Sequence, residues 1–282
     1  MKHKLQPEEI REKGKQIRYI ALDLDGTLTN QKKEVTPYTR EMIADYIDRG
    51  GTVILASGRP TYGVMGVAEQ LSLPEKGGYI LSYNGGAVTD CRNGAVLFSQ
   101  PMDASCIEKL EEQGRESGAC LVTYHGGDIL TRDPSDPYTV VEQKINGMAI
   151  REVSSVAEAV SFPVIKCLMT AAPDRRPAIE EDLQAYWDGR LTVTHSQPFF
   201  IEITANGIDK AHSLRQLMEK LGGSVSELAA FGDGMNDMPM IRCAGMGVAM
   251  ENGEQALKDA ADVVTLSNEE DGVACVVREL LR

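Results

Sequence analysis

The chain has 282 residues, enough for two domains. Its 29 Lys+Arg against 42 Asp+Glu leave a formal net charge of -13, which argues against a nucleic-acid partner, because the phosphate backbone demands a basic footprint. A 42% hydrophobic content excludes disorder, and no apolar run approaches the roughly 20 residues of a membrane-spanning helix.

Residues 1–18 (MKHKLQPEEIREKGKQIR) lack the apolar stretch of a secretory signal and read as a polar arm or short helix outside the core. Tyr19 to Leu24 is an apolar run ending in acids. A helical pattern follows, with Met42, Ile43, Tyr46 and Ile47 on one face, Thr36-Pro37 to start it and a glycine pair at 50 and 51 to end it. Thr52 to Ala56 and Tyr79 to Ser82 are further apolar runs, ending in SGRP and YNGG. Continuous apolar strands alternating with helices predict a parallel sheet buried on both faces. The same rhythm returns near the C-terminus: a helix from Lys210, strands at 228–231, 245–250 and 262–266, and helices at 255–261 and 272–281.

The middle differs. AVLFSQ, CLVTYHG, VIKCLMTA and LTVTHS alternate in polarity, which predicts strands with one buried and one open face, interleaved with helices near 103–117 and 174–187. The fold class expected is therefore α/β: a Rossmann-like doubly wound parallel sheet core (1–85 and 196–282) with an inserted α+β cap domain (86–195). The six cysteines form no C-x-x-C pair and read as reduced thiols of a cytoplasmic protein.

Four polar clusters fall at the C-terminal ends of predicted core strands, where doubly wound sheets place their sites. The first is Asp23-x-Asp25-Gly26-Thr27: two carboxylates two residues apart, with a glycine that permits a tight turn. The second is Ser57-Gly58-Arg59-Pro60, a hydroxyl and backbone N–H groups suited to a phosphate oxygen. The third is Lys210, a cation at a helix N-terminus, where the helix dipole opposes it unless an anion faces it. The fourth, Gly232-Asp233-Gly234-Met235-Asn236-Asp237, gathers two acids and an amide suited to a hard cation such as Mg²⁺. Each cluster alone is equally an ordinary strand-end turn, N-cap or surface lysine.

Their order is more specific. D-x-D-G-T, then Ser57, then Lys210, then G-D-x-x-N-D resembles the haloacid dehalogenase superfamily of phosphatases. Ser82-Tyr83-Asn84-Gly85-Gly86 looks like that family's turn before the cap. Gly247–Met250, Ala261–Thr265 and Asn268–Val273 look like the C-terminal blocks of its Cof-like (type IIB) members. The pattern departs at Gly86, Ala211 and Gly253, none of which carries a catalytic group. The resemblance implies a phosphatase of small phosphate esters, acting through an aspartyl-phosphate on Asp23, with Asp25 as general acid and base. Mg²⁺ would be held by Asp23, Asp233 and the backbone carbonyl of Asp25, with Asp237 behind them. Ser57, Gly58, Lys210 and Asn236 would hold the phosphoryl group, and Arg59, Asn84 and Gly85 would lie toward the substrate. Asp25 must donate a proton first, so its pKa is expected above the ordinary value of about 3.9. Phosphoryl transfer to a sugar hydroxyl, or non-catalytic sensing of a phosphate ligand, would use the same scaffold.

Overall fold

The computed structural model describes residues 4–282, so Met1, Lys2 and His3 of the expected N-terminal arm lie outside the described residues. Among the described residues fourteen strands run in chain order: β1 (Tyr19–Leu22), β2 (Thr52–Ala56), β3 (Tyr79–Ser82), β4 (Ala87–Asp90), β5 (Val96–Ser99), β6 (Cys120–His125), β7 (Asp128–Thr131), β8 (Ala149–Glu152), β9 (Lys166–Thr170), β10 (Leu191–Gln197), β11 (Phe200–Ala205), β12 (Leu228–Gly232), β13 (Met246–Ala249) and β14 (Val263–Val264). They form an eight-stranded sheet, β14-β13-β12-β1-β2-β3-β4-β5, and a six-stranded sheet, β10-β11-β9-β6-β7-β8. The chain divides into two compact units, one built from residues up to Phe98 with Asp209–Arg282, the other from Ser99–Ile208. No helix among the described residues is long and apolar enough to cross a membrane.

In the larger unit, β14 through β3 are parallel throughout. Successive residues feed opposite layers, which is why these strands read as unbroken apolar runs. Ile20, Leu22, Val53 and Leu55 join one buried cluster. Ala21, Ile54 and Ala56 join the other, with Leu214, Leu217 and Met218 of the helix Lys210–Lys220. The helix Pro37–Asp48 starts as expected, with the Thr36 hydroxyl accepting the Thr39 N–H at 3.2 Å.

Three expectations need correction. The sheet continues past β3 into the antiparallel β4, paired from Tyr79↔Asp90 to Ser82↔Ala87, and then β5. The inserted unit therefore begins at Ser99 rather than residue 86, and it keeps β10 and β11, ending at Ile208 rather than residue 195. The strand within AVLFSQ is β5, a partly exposed outer strand of the core sheet rather than part of the inserted unit's sheet. Second, the N-terminal segment is not outside the core. Its helix Pro7–Gly14 contributes a buried Ile10, followed by a buried Ile17, and Arg11 Nε donates to Glu279 on the helix Gly272–Leu280 at 2.7 Å. Two isoleucines among so many charges gave too little periodicity to reveal that packing.

Third, the second sheet is not simply open on one face. Leu121, Cys167, Met169, Ile201 and Ile203 pack against the helices Ala104–Ser117 and Arg176–Trp187 through Ile107, Leu110, Ile179, Leu183 and Trp187. The alternate residues Val122, Leu168 and Phe200 are buried too. On that side Tyr124 donates its hydroxyl to Glu142 of the helix Pro137–Asn146 at 2.6 Å, both side chains buried. Pairing within this sheet is antiparallel except for β7 with β8.

Candidate active site

The four sequence clusters converge where β1, the strand at which the sheet order reverses, ends between β12 and β2. The backbone beyond β1 closes at once: Leu28 N–H bonds Asp23 O at 3.1 Å and Thr29 N–H bonds Leu24 O at 2.9 Å. Gly26 lies in the left-handed region at φ 82. A β-carbon there would meet Asp233 Oδ2 at 2.3 Å, so glycine is required both by the turn and by the approach of that acid. Thr27 completes the cradle, donating its hydroxyl to Asp233 Oδ1 at 2.9 Å.

Lys210 opens its helix behind the Asp209 cap, whose side chain accepts the His212 N–H. Its unfavourable place against the helix dipole is explained by what faces it. Nζ, at 0% exposure, donates to Asp23 Oδ1 at 2.5 Å and Asp237 Oδ1 at 2.6 Å. The other Asp237 oxygen accepts the backbone N–H groups of Asp233 and Gly234, both at 3.0 Å. Asp23, Asp233 and Asp237 bring carboxylate oxygens within 4.8 Å of one another.

Three carboxylates thus surround one ammonium, and the balance is unfavourable in a buried place. Burial, and then the charge of Asp237, push Asp23 up to about 8 against the pull of Lys210. Burial raises Asp233 to about 6, although the Thr27 hydrogen bond opposes it. Burial works against the charge of Lys210, yet Asp23 and Asp237 hold it above its usual value. An excess of hard oxygen ligands short of positive charge fits a divalent cation. Asp237, already engaged by three donors, suits a supporting place behind Asp23 and Asp233.

Asp25 stands apart. Arg59 Nε donates to Oδ2 at 2.8 Å and Nη2 to Oδ1 at 2.5 Å, while Lys33 Nζ reaches Oδ1 at 2.6 Å. Burial alone would raise its pKa, but the hydrogen bonds and charge of Arg59 and Lys33 outweigh that and hold it below the ordinary value. This overturns the expectation of a raised pKa, and the reason is two cations that strand-end spacing does not reveal.

The remaining residues lie close by. Ser57 is buried; its Oγ accepts the Arg59 N–H at 3.1 Å, which leaves its own proton free to donate. Asn84 adopts a left-handed φ of 55, its N–H bonds Ser57 O at 2.9 Å, and its Oδ1 accepts from Asn236 Nδ2 at 3.2 Å. A β-carbon on Gly58 would press on the Asn84 amide at 3.1 Å. Gly85 accepts the Ser213 hydroxyl through its carbonyl. Sequence reasoning missed Lys33, eight residues from Asp25 on a turn whose left-handed φ it does not announce, and it missed the service of Thr27 to Asp233, 206 positions away.

A family model for haloacid dehalogenase-like hydrolases matches residues 20–277. A crystal structure of a haloacid dehalogenase-like hydrolase from Bacteroides thetaiotaomicron is 40% identical, with a TM-score of 0.91, covering 94% of this chain and 99% of that one. A solved Thermotoga maritima protein is 27% identical, with a TM-score of 0.84 over 93% of this chain and 97% of its own. The 5-amino-6-(5-phospho-D-ribitylamino)uracil phosphatase of Bacillus subtilis is 29% identical over 93% of this chain and 95% of its own length. With matches that run almost end to end and four motif clusters gathered at one sheet edge, the chain belongs to the haloacid dehalogenase-like hydrolases.

Proposed function

We propose that the chain is a Mg²⁺-dependent phosphatase of a small phosphorylated metabolite, of the Cof-like type IIB kind, working through an aspartyl-phosphate on Asp23. The observation that carries this is Asp23 itself: a buried carboxylate at the end of β1, bonded to Lys210 and grouped with Asp233 and Asp237. An Asp23 oxygen forms a bond to phosphorus as the ester P–O bond breaks. The departing oxygen takes a proton from Asp25, once that carboxyl has picked one up and exchanged its Arg59 and Lys33 partners. In the second half Asp25 takes a proton from water, the water oxygen attacks phosphorus, and the bond to Asp23 breaks to release phosphate. Ser57, Lys210 and Asn236 hold phosphoryl oxygens, with the Gly58 backbone beside them, while charge shifts. Asp23, Asp233 and the Asp25 carbonyl would hold the Mg²⁺, and its charge offsets the repulsion between a carboxylate and an anionic phosphoryl group. The inserted unit serves as the cap. The six free cysteines are in keeping with a cytoplasmic place.

Phosphate release from p-nitrophenyl phosphate and from a panel of phosphorylated metabolites tests the reading. Release without any acceptor, abolished by EDTA and restored by Mg²⁺, is the expected result. Turnover that needs a sugar acceptor would point to a transferase, and ligand binding without turnover to a sensor. Gly26→Ala is expected to weaken Mg²⁺ binding by about tenfold or more, the scale of disturbing a ligand's support, because the new methyl displaces Asp233. Calorimetric titration of Mg²⁺, with circular dichroism to confirm the fold, measures it; unchanged affinity would dissociate Asp233 from the cation.

A further inference from the structure

Asp25 is held by two cations of different origin. The Arg59 side chain is only 12% exposed, its backbone carbonyl accepts the Tyr83 N–H at 3.0 Å, and its Nη1 lies 3.4 Å from Gly63 O. Lys33 is 58% exposed and would be a plain solvated lysine but for the turn that carries it. That turn is closely specified. Asn30 N–H bonds Glu34 O at 3.0 Å, Asn30 Oδ1 accepts the N–H groups of Lys32 and Glu34, and Lys33 takes a left-handed φ of 63. The turn is moored from outside by Gln31 N–H to Glu269 and by Asn268 Nδ2 to Thr29 O, at 2.7 and 2.8 Å. A non-glycine residue in that region marks a backbone held by its surroundings.

We infer that Lys33 is, with Arg59, a positioning residue for the leaving-group half of the reaction. Together they hold the Asp25 side chain away from the carboxylates of Asp23, Asp233 and Asp237. The inference rests on the phosphatase reading. Asp25 lies two residues from Asp23, and a bound cation at the three acids attracts a fourth nearby carboxylate. Drawn to the cation, the Asp25 carboxyl would be turned away from the departing oxygen, whereas the Arg59 and Lys33 contacts keep it on the other side. Arg59 and Lys33 supply the competing positive charge on the other side. Their hold need not survive the whole cycle; it decides where Asp25 starts. No new bond is made or broken by either residue.

The test compares kcat/KM, which reports the transfer to Asp23, for two esters. The phenolate of p-nitrophenyl phosphate leaves unaided, whereas the alkoxide of glycerol 3-phosphate must be protonated as it leaves. Lys33→Met is expected to lower kcat/KM about tenfold for glycerol 3-phosphate, a part of the roughly 10²–10⁴-fold that a general acid contributes, with little change for p-nitrophenyl phosphate. Lys33→Arg should restore the alkyl ester. Calorimetry should show Lys33→Met binding Mg²⁺ more tightly, since Asp25 is then freer to join the cation. An equal fall on both esters, or unchanged activity on both, overturns the inference while leaving the phosphatase reading intact. Failure of the unaltered chain to hydrolyse either ester overturns both.

Discussion

Asp23→Asn is expected to lower phosphate release by at least about a thousandfold, the scale of losing a catalytic nucleophile. The amide cannot attack phosphorus, and no other carboxylate occupies its place: Asp237 is engaged by Lys210 and two backbone N–H groups, and Asp25 by Arg59 and Lys33. The substitution has a second consequence for the metal-free protein. Asp23 ionises at an ordinary pH in the unfolded chain but is pushed up to about 8 in the folded one, by burial first and the charge of Asp237 next. A raised carboxylate binds its proton more tightly in the folded state, so folding is favoured while the proton stays on. That advantage is lost as pH rises from the ordinary carboxylate range through the folded value. In EDTA, the Tm of the unaltered chain should therefore fall between about pH 5 and about pH 8 more steeply than that of Asp23→Asn. Scanning fluorimetry of both proteins across that range measures it; parallel slopes would show that Asp23 is not the group under strain. Adding Mg²⁺ at the upper end should raise the Tm of the unaltered chain, because a cation lets Asp23 ionise at little cost.

What the sequence made legible follows from where its signals are local. An apolar run ending in D-x-D-G-T needs only its own strand and turn to be recognised, and Ser57, Lys210 and the 232–237 cluster announce themselves likewise. The partners of those residues are another matter. Lys210 stands 187 positions from Asp23, and Thr27 stands 206 from Asp233. Their pairing became inferable only through the family resemblance or not at all. Asp25 was misjudged because its environment comes from a left-handed lysine on a turn and an arginine beyond β2, neither of which spacing predicts. Domain boundaries failed for a related reason. β5 is a short, partly exposed outer strand of the core sheet, and alternation in a short strand does not say which sheet it joins.

Lys210→Met carries the largest expected structural penalty. The ammonium at 0% exposure is the shared counter-charge of Asp23 and Asp237. Methionine matches its length but leaves both carboxylates buried without compensation, and breaking a buried pair in this way costs about 3–5 kcal/mol. Arginine should not substitute, since a planar guanidinium needs room that a fully enclosed site lacks. Activity should be lost with either variant. Urea unfolding of Lys210→Met in EDTA reads the penalty, and Mg²⁺ should return part of it, because a divalent ion can supply some of the missing charge to Asp23. Pairing the substitution with Asp237→Asn separates charge from packing. If uncompensated carboxylates are the cause, the double variant will be more stable than the sum of the single losses predicts. If the losses simply add, the cost lies in the shape of the lysine pocket, and the three acids tolerate one another without a cation.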